Sequence, residues 1–327
     1  MFKQVLIHTL LHKLISSLSA LVSKNKLSIL IYHQVLETPD NMRPGEPTQQ
    51  QFDWQMALIN NYFNPISLSE ALRLLSQSAL PANSVCVTFD DGYLNNLEVA
   101  QPILAKHNVP ATVYVASAFS EGENMWNDQI MDLVAHYTGD SLNLSSVDMG
   151  IVSLSNLEEK RQTAHKIIIS LKCLPINERL NKVQKLKSDN PCTLPKKKMM
   201  TPAQVKELAD LGVEIGAHSH NHPILSKLTD AQLESEISQN TKCLQQWLDK
   251  PIVHFAYPNG RPSIDFDDRA IAQLKKQGFE SAVTTEMGFS TPKTDPLLLK
   301  RFTPWDNNPI KFHLRMLLNI LNFYKAN

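Results

Sequence analysis

Short apolar runs rich in β-branched residues recur at 27–32, 85–89, 111–116, 213–217, 252–257 and 279–285. Segments with apolar residues at helical spacing lie between them. Short runs of this kind read as strands. Strands alternating with helices predict βα units and a mainly parallel sheet. Helix starts are marked by Thr48-x-x-Gln51, Ser67-x-x-Glu70, Thr201-Pro202-x-Gln204 and Thr229-x-x-Gln232, each reading as a capping box.

Two stretches break this rhythm. At the N-terminus, Ile7, Leu10, Leu11, Leu14, Ile15, Leu18, Leu21 and Val22 recur at helical spacing, but His8, His12 and Lys13 interrupt the run. It is too short and polar to span a bilayer. A secretory signal would have an unbroken apolar core and a small-residue cleavage site. The expectation is an uncleaved amphipathic helix over 1–26, docked on the domain or lying on a membrane surface, with a signal or anchor as the alternative. The second stretch, 121–200, has no convincing barrel strand. It carries polar helical segments, one beginning at Ser155-x-x-Glu158, and ends near Lys196-Lys197-Lys198, which reads as a solvated surface. It is expected to be a mostly helical insertion. The parts flanking it would be 27–120 and 201–305, with a C-terminal helix over 306–327.

Charge and cysteines narrow the picture. Thirty-two basic and 32 acidic side chains leave a net charge of zero, which gives no electrostatic case for nucleic acid. Nineteen prolines against ten glycines favour rigid loop corners over flexible linkers. Cys86, Cys173, Cys192 and Cys243 contain no Cys-x-x-Cys pair, so a structural zinc site is not expected. Cys86 falls inside an apolar strand, as a small buried hydrophobe would. Cys173 and Cys192 could pair, although the pattern fits a reducing compartment slightly better.

The candidate chemistry sits where two strands end. Asp90 and Asp91 close the run 85–89, and adjacent strand residues point to opposite faces, so the two carboxylates can do different jobs. His218 and His222 follow the run 213–217; four residues apart on a helical turn, they would share one side, and His220 would point elsewhere. Two histidines and a carboxylate suit zinc, and also cobalt, nickel or iron. Ser219 is a candidate donor for orienting a ligand or the loop. His33 ends the first strand run.

Thr88-Phe89-Asp90-Asp91-Gly92-Tyr93 resembles the first signature of the polysaccharide deacetylases, carbohydrate esterase family 4, also called the NodB homology domain. His218-Ser219-x-x-His222 resembles the second, and Phe255-Ala256-Tyr257-Pro258-Asn259-Gly260 a common form of the third. The resemblance covers roughly residues 27–305 and implies a distorted (β/α)7 barrel. It implies a divalent metal on Asp91, His218 and His222, Asp90 as general base, and an oxyanion donor at the Tyr93 backbone N–H. Members of the classical form end in a leucine-x-histidine motif that is missing here; His313 follows no strand pattern. The Tyr32-His33 segment is instead similar to the permuted arrangement of biofilm poly-N-acetylglucosamine deacetylases, which implies that His33 is the general acid. Classical members also carry an arginine shortly before the third motif's proline. Val253 to Tyr257 has none, and Arg301 is the candidate to supply that charge from another strand, a surface arginine being the alternative. Tyr257, Pro258 and Asn259 are expected to shape a groove wall. Trp126 would either contact sugar with Asp128 or pack the insertion onto the barrel. Arg261 and Trp305 are lesser candidates.

The expected activity is metal-dependent removal of acetyl groups from an N-acetylated oligo- or polysaccharide. The alternatives are an O-acetyl esterase or non-sugar amidase on the same site, or an inactive carbohydrate-binding module. The expected location is the cytoplasm or the inner face of the membrane, reached through the N-terminal helix, with export as the alternative.

Overall fold

The structure is a computed structural model. It describes residues 2–195, 197–303 and 306–323, with side chains from residue 9 onward. Seven strands follow one another around a single sheet: β1 (Ser28–Tyr32), β2 (Ser84–Phe89), β3 (Ala111–Val115), β4 (Glu214–Ala217), β5 (His254–Ala256), β6 (Ser281–Met287) and β7 (Leu299–Arg301). Every neighbouring pair is parallel. A parallel bridge between Leu30 and Phe302 brings the last strand back to the first and nearly closes a barrel. Asn64–Pro65 adds a two-residue strand on the flank of β2.

Six of these strands fall on the apolar runs. The seventh, β7, was not legible as a run because it is three residues long, Leu-Lys-Arg, and its register slips against β6. Side chains alternate between two layers, as strand geometry requires. Residues such as Val85, Val87, Val113 and Phe255 pack outward against Phe52 and Met56 of helix α2 (Gln49–Tyr62) in the largest core cluster. Ile29, Cys86, Tyr114, Ala256, Val283 and Leu299 form a second cluster on the other face. Gly216 makes room for Tyr114, since a Cβ there would lie 2.4 Å from the tyrosine ring.

Thr48, Thr201 and Thr229 each make both halves of the expected capping box; Ser67 accepts from Glu70 N–H. The box at Ser155 is corrected by one residue. Helix α4 (Leu157–Lys172) is capped by Asn156, whose side chain accepts from Glu159 N–H.

Within 121–200 lie helices α3 (Trp126–His136), α4 and α5 (Ile176–Asp189), with an antiparallel pair of short strands, Ser141–Asn143 and Ile151–Ser153. They share their own hydrophobic cluster, which includes Trp126, Leu133, Ile167 and Leu186. The lysine run is not simply solvated: Lys198 Nζ pairs with the buried Asp132 at 2.6 Å, and Lys197 Nζ donates to Ser120 O. Lys196 and Trp305 lie outside the described residues.

The N-terminal helix α1 (Phe2–Val22) rests on α2 and on the last helix, α6 (Pro309–Ile320). Its apolar residues divide between the two faces. His12, Ile15 and Ser19 face inward, whereas Leu10, Leu14, Leu18 and Leu21 are exposed. His12 Nδ1 meets His313 Nδ1 at 2.9 Å, Ser16 Oγ donates to Tyr62 O and, just past the helix, Ser23 Oγ donates to Asn83 Oδ1. Among the described residues, no helix is long and apolar enough to cross a membrane. All four cysteines are free, so Cys173 and Cys192 do not pair; Cys86 is buried.

Candidate metal and acid–base site

The site is built where strands β1, β2 and β4 end. Asp91 follows β2 in the left-handed region at φ 77°, and Gly92 follows it at φ 89°. A Cβ on Gly92 would come within 3.0 Å of Val115 Cγ1, so the residue after the two aspartates has to be small. His222 is also left-handed, at φ 50°. Strained backbone of this kind persists where surrounding structure fixes it, and here it aims side chains.

Ligand atoms of Asp91, His218 and His222 all lie within 4.8 Å of one another. Asp91 Oδ1 is 3.4 Å from His218 Nε2 and 3.5 Å from His222 Nε2. Two ligands about 2.0–2.2 Å from a tetrahedral ion would stand roughly 3.3–3.6 Å apart. Asp91 Oδ1 is buried without a hydrogen-bond partner, and a carboxylate oxygen in that position calls for a cation. The donor set and its spacing therefore fit a divalent metal. Its identity among zinc, cobalt, nickel and iron is left open by the donor chemistry.

The histidines are held from behind. His218 Nδ1 bonds the Ala256 carbonyl at 2.7 Å, which turns Nε2 toward Asp91. His218 N–H donates to Asn240 Oδ1, and Asn240 Nδ2 donates to Val115 O and Ser117 Oγ. Glu236 grips the loop between the two ligands through Asn221, accepting from its backbone N–H at 2.8 Å and its Nδ2 at 2.7 Å. Asn240 and Glu236 were missed in the sequence, although a signal exists. Both lie buried in helix α7 (Asp230–Leu248), among its apolar Leu233, Ile237 and Leu244.

Asp90 is clamped by Arg301. The guanidinium makes two 2.7 Å bonds, Nη1 to Oδ1 and Nη2 to Oδ2, and its Nε donates to Thr284 O. Burial alone would raise the Asp90 pKa, but Arg301 and then His218 outweigh it and hold the carboxyl below its ordinary value. Asp91 is likewise lowered, against its own burial, by His218 and His222. Burial pushes His222 down to about 3, whereas Asp90 and Asp91 raise His218 against its own burial.

A cavity of about 510 Å³ joins these groups, lined also by His33, Arg43, Glu46, Tyr93 and Asn259. His33 shares it without joining the three converging ligands, and its carbonyl accepts from Asn96 Nδ2 at 2.9 Å. Glu46, also missed in the sequence, lines the cavity with His33 and accepts from Gln34 N–H at 3.2 Å. Tyr93 N–H has no acceptor in the backbone among the described residues. Its phenol donates to Asp128 Oδ2 at 2.7 Å.

The other expected site residues divide between this cavity and the core. Tyr257 is not a groove wall: it is fully buried, stacked on Phe266 at 3.7 Å, with its hydroxyl donating to Leu297 O. Pro258 is buried beside it, leaving Asn259 to line the cavity. Trp126 is 4% exposed within the insertion's cluster, which assigns it to packing rather than to a sugar surface. Asp128 lines the same cavity as the metal ligands and is paired there with Arg43 at 2.8 Å. Ser219 Oγ has no partner among the described residues, so it orients nothing by hydrogen bonding; His220 turns away to Ser117 Oγ. Arg261 pairs with Asp265, and His313 is buried in α6.

The sequence profile described as polysaccharide deacetylase matches residues 77–171 and 172–282. The chain belongs to the polysaccharide deacetylase family. A curated relative from Bacillus subtilis (strain 168), "Putative polysaccharide deacetylase YxkH", is 22% identical over 264 residues, 80% of this chain. The match spans 66% of that relative's length, just under two thirds. Among solved structures, the Streptococcus pyogenes deacetylase PplD in complex with acetate aligns with a TM-score of 0.59 at 20% identity, covering 89% of this chain and 98% of PplD. IcaB from Ammonifex degensii aligns with a TM-score of 0.59 at 18% identity, covering 90% and 98%. These likenesses establish the (β/α)7 barrel fold of the NodB type.

Proposed function

We propose that the protein removes the acetyl group from an N-acetylated sugar of an oligo- or polysaccharide by metal-dependent hydrolysis. One observation carries this: the ligand atoms of Asp91, His218 and His222 converge within 4.8 Å of one another beside an Asp90 fixed by Arg301. A divalent ion held by those three residues would polarise the acetyl carbonyl and acidify water. Asp90, ionised through its contact with Arg301, takes the proton of the attacking water. The Tyr93 N–H, without a backbone acceptor among the described residues, would donate to the developing oxyanion. His33, lining the same cavity, gives its proton to the leaving nitrogen, so that acetate and a free amine separate.

The test is acetate release from matched N-acetylated and O-acetylated oligosaccharides, with an activated aryl acetate as control. His33→Ala should slow the N-acetyl reaction by about 10²–10⁴-fold. It should slow the aryl ester much less, because a phenolate leaves unprotonated. Equal losses on both would make His33 a residue that holds the site together. Release from O-acetyl sugars alone would replace the amidase with an esterase, and no release from any of them would leave a binding module.

A further inference from the structure

A second cavity, of about 240 Å³, is lined by α5, by Ala118 and Phe119 after β3, and by Asn221. At its wall stands Arg179, 1% exposed, one of the largest fully buried side chains of the molecule. Among the described residues no carboxylate pairs with it. Its Nη2 donates to the Asn221 carbonyl at 3.1 Å, its guanidinium carbon stands 4.7 Å from the centre of the Trp126 ring, and its Nε has no partner. Glu236, whose charge acts on Arg179 through space, is already engaged by Asn221 and makes no ion pair with it. Glu123, at the cavity's exposed rim, is bound to Lys187 and Gln184.

A buried cation without an anion is costly. The Trp126 face and one carbonyl answer part of that cost, but neither supplies a negative charge. The unmet Nε lies on the guanidinium edge, which bonds a carboxylate or phosphate through parallel N–H groups. The geometry points to this cavity as an oxyanion site. Its ligand is a small carboxylate or phosphate, free or carried on a saccharide, seated on Arg179. The contact to Asn221 O would tie its occupancy to the residue preceding His222.

The test does not depend on catalysis. Sodium acetate and inorganic phosphate are titrated at constant ionic strength into the Asp91→Ala protein, whose metal site is disabled, by calorimetry and by the shift in Tm. Saturable binding is expected, weakened at least tenfold by adding Arg179→Met. Absence of saturable binding, or equal binding with Arg179→Met, would overturn the proposal. Leu180→Glu, on the same cavity, guards against misfolding of the arginine variant. By supplying a carboxylate from within, it should raise Tm and abolish the anion-dependent shift; an undiminished shift would also overturn the site. A uronate-bearing oligosaccharide compared with its neutral counterpart then separates sources. An advantage lost with Arg179→Met means that the anion arrives on the sugar, and equal binding means that it arrives free. Failure of the deacetylase assay would leave these results intact.

Discussion

The barrel mouth and the insertion both bury acids and bases, but to opposite ends. In the insertion, the buried carboxylates are neutralised. Arg43 reaches from the loop after β1 to Asp128 and Asp132 at 2.8 and 2.9 Å, Lys198 adds a second cation to Asp132, and the Tyr93 hydroxyl completes Asp128. At the mouth, Asp91 Oδ1 is left without a hydrogen bond between two imidazoles. Paired charges hold segments together; an unpaired buried atom marks a place for something else. Within the insertion Asp132 Oδ2 is also unpaired, but that carboxylate already holds two cations, whereas Arg179 has an unpaired Nε and no carboxylate partner among the described residues.

The largest effect that separates the two regions should come from Asp91→Ala. Activity should vanish and bound metal should fall away with it, as measured by elemental analysis after gel filtration, while the fold is kept. Asp91→Ala enzyme that still carries stoichiometric metal would mean that the convergence at the mouth is not a metal site. Asp90→Asn comes next. It should retain metal but lose about 10²–10⁴-fold in kcat, because an amide cannot accept the water's proton. Turnover near wild type would move the base elsewhere.

The two regions also differed in legibility. At the mouth, Asp90, Asp91, His218 and His222 could be read because metal chemistry requires particular residue types just after strands. Arg301 could be named but not placed: its partner lies more than two hundred positions away, and its three-residue strand carries no periodic signal. In the insertion only the helices were readable. Trp126 was ambiguous because an aromatic beside polar residues looks alike in a core and on a sugar surface. Lys198 read as solvated because nothing local shows that Asp132 is buried beneath it. Tyr257 misled for the reverse reason. Its motif resembles a site loop, but the ring faces Phe266 in the core.

Arg43→Met tests the insertion's side of the comparison. Removing one partner of a buried ion pair typically costs about 3–5 kcal/mol, because the remaining charge is stranded. Lys198 still serves Asp132, so the cost should fall toward the lower end and should be read from denaturant midpoints. Metal affinity should change little. Loss of metal with unchanged stability would mean that Arg43, which also lines the metal cavity, belongs functionally to the mouth.

The smallest expected effect is a pH response at a third buried contact, where neither strategy applies. His313 of α6 and His12 of α1 share a 2.9 Å contact between their Nδ1 atoms and stack at 5.1 Å beside Tyr62. One ring must donate and the other accept, so the contact needs a neutral imidazole. Burial, and then the neighbouring His12, push His313 down to about 4. In the unfolded chain a histidine titrates near ~6.5, so between those values the unfolded state holds the extra proton. The stabilisation is therefore complete above ~6.5 and is lost as pH falls toward about 4. Amide exchange in residues 9–22 should accelerate as pH drops from 7 to 4.5, after correction for intrinsic rates, while strands β1 to β4 stay protected. His313→Phe should flatten that dependence. An equal slope in this variant would assign the acid sensitivity to the carboxylates of the mouth and the insertion instead.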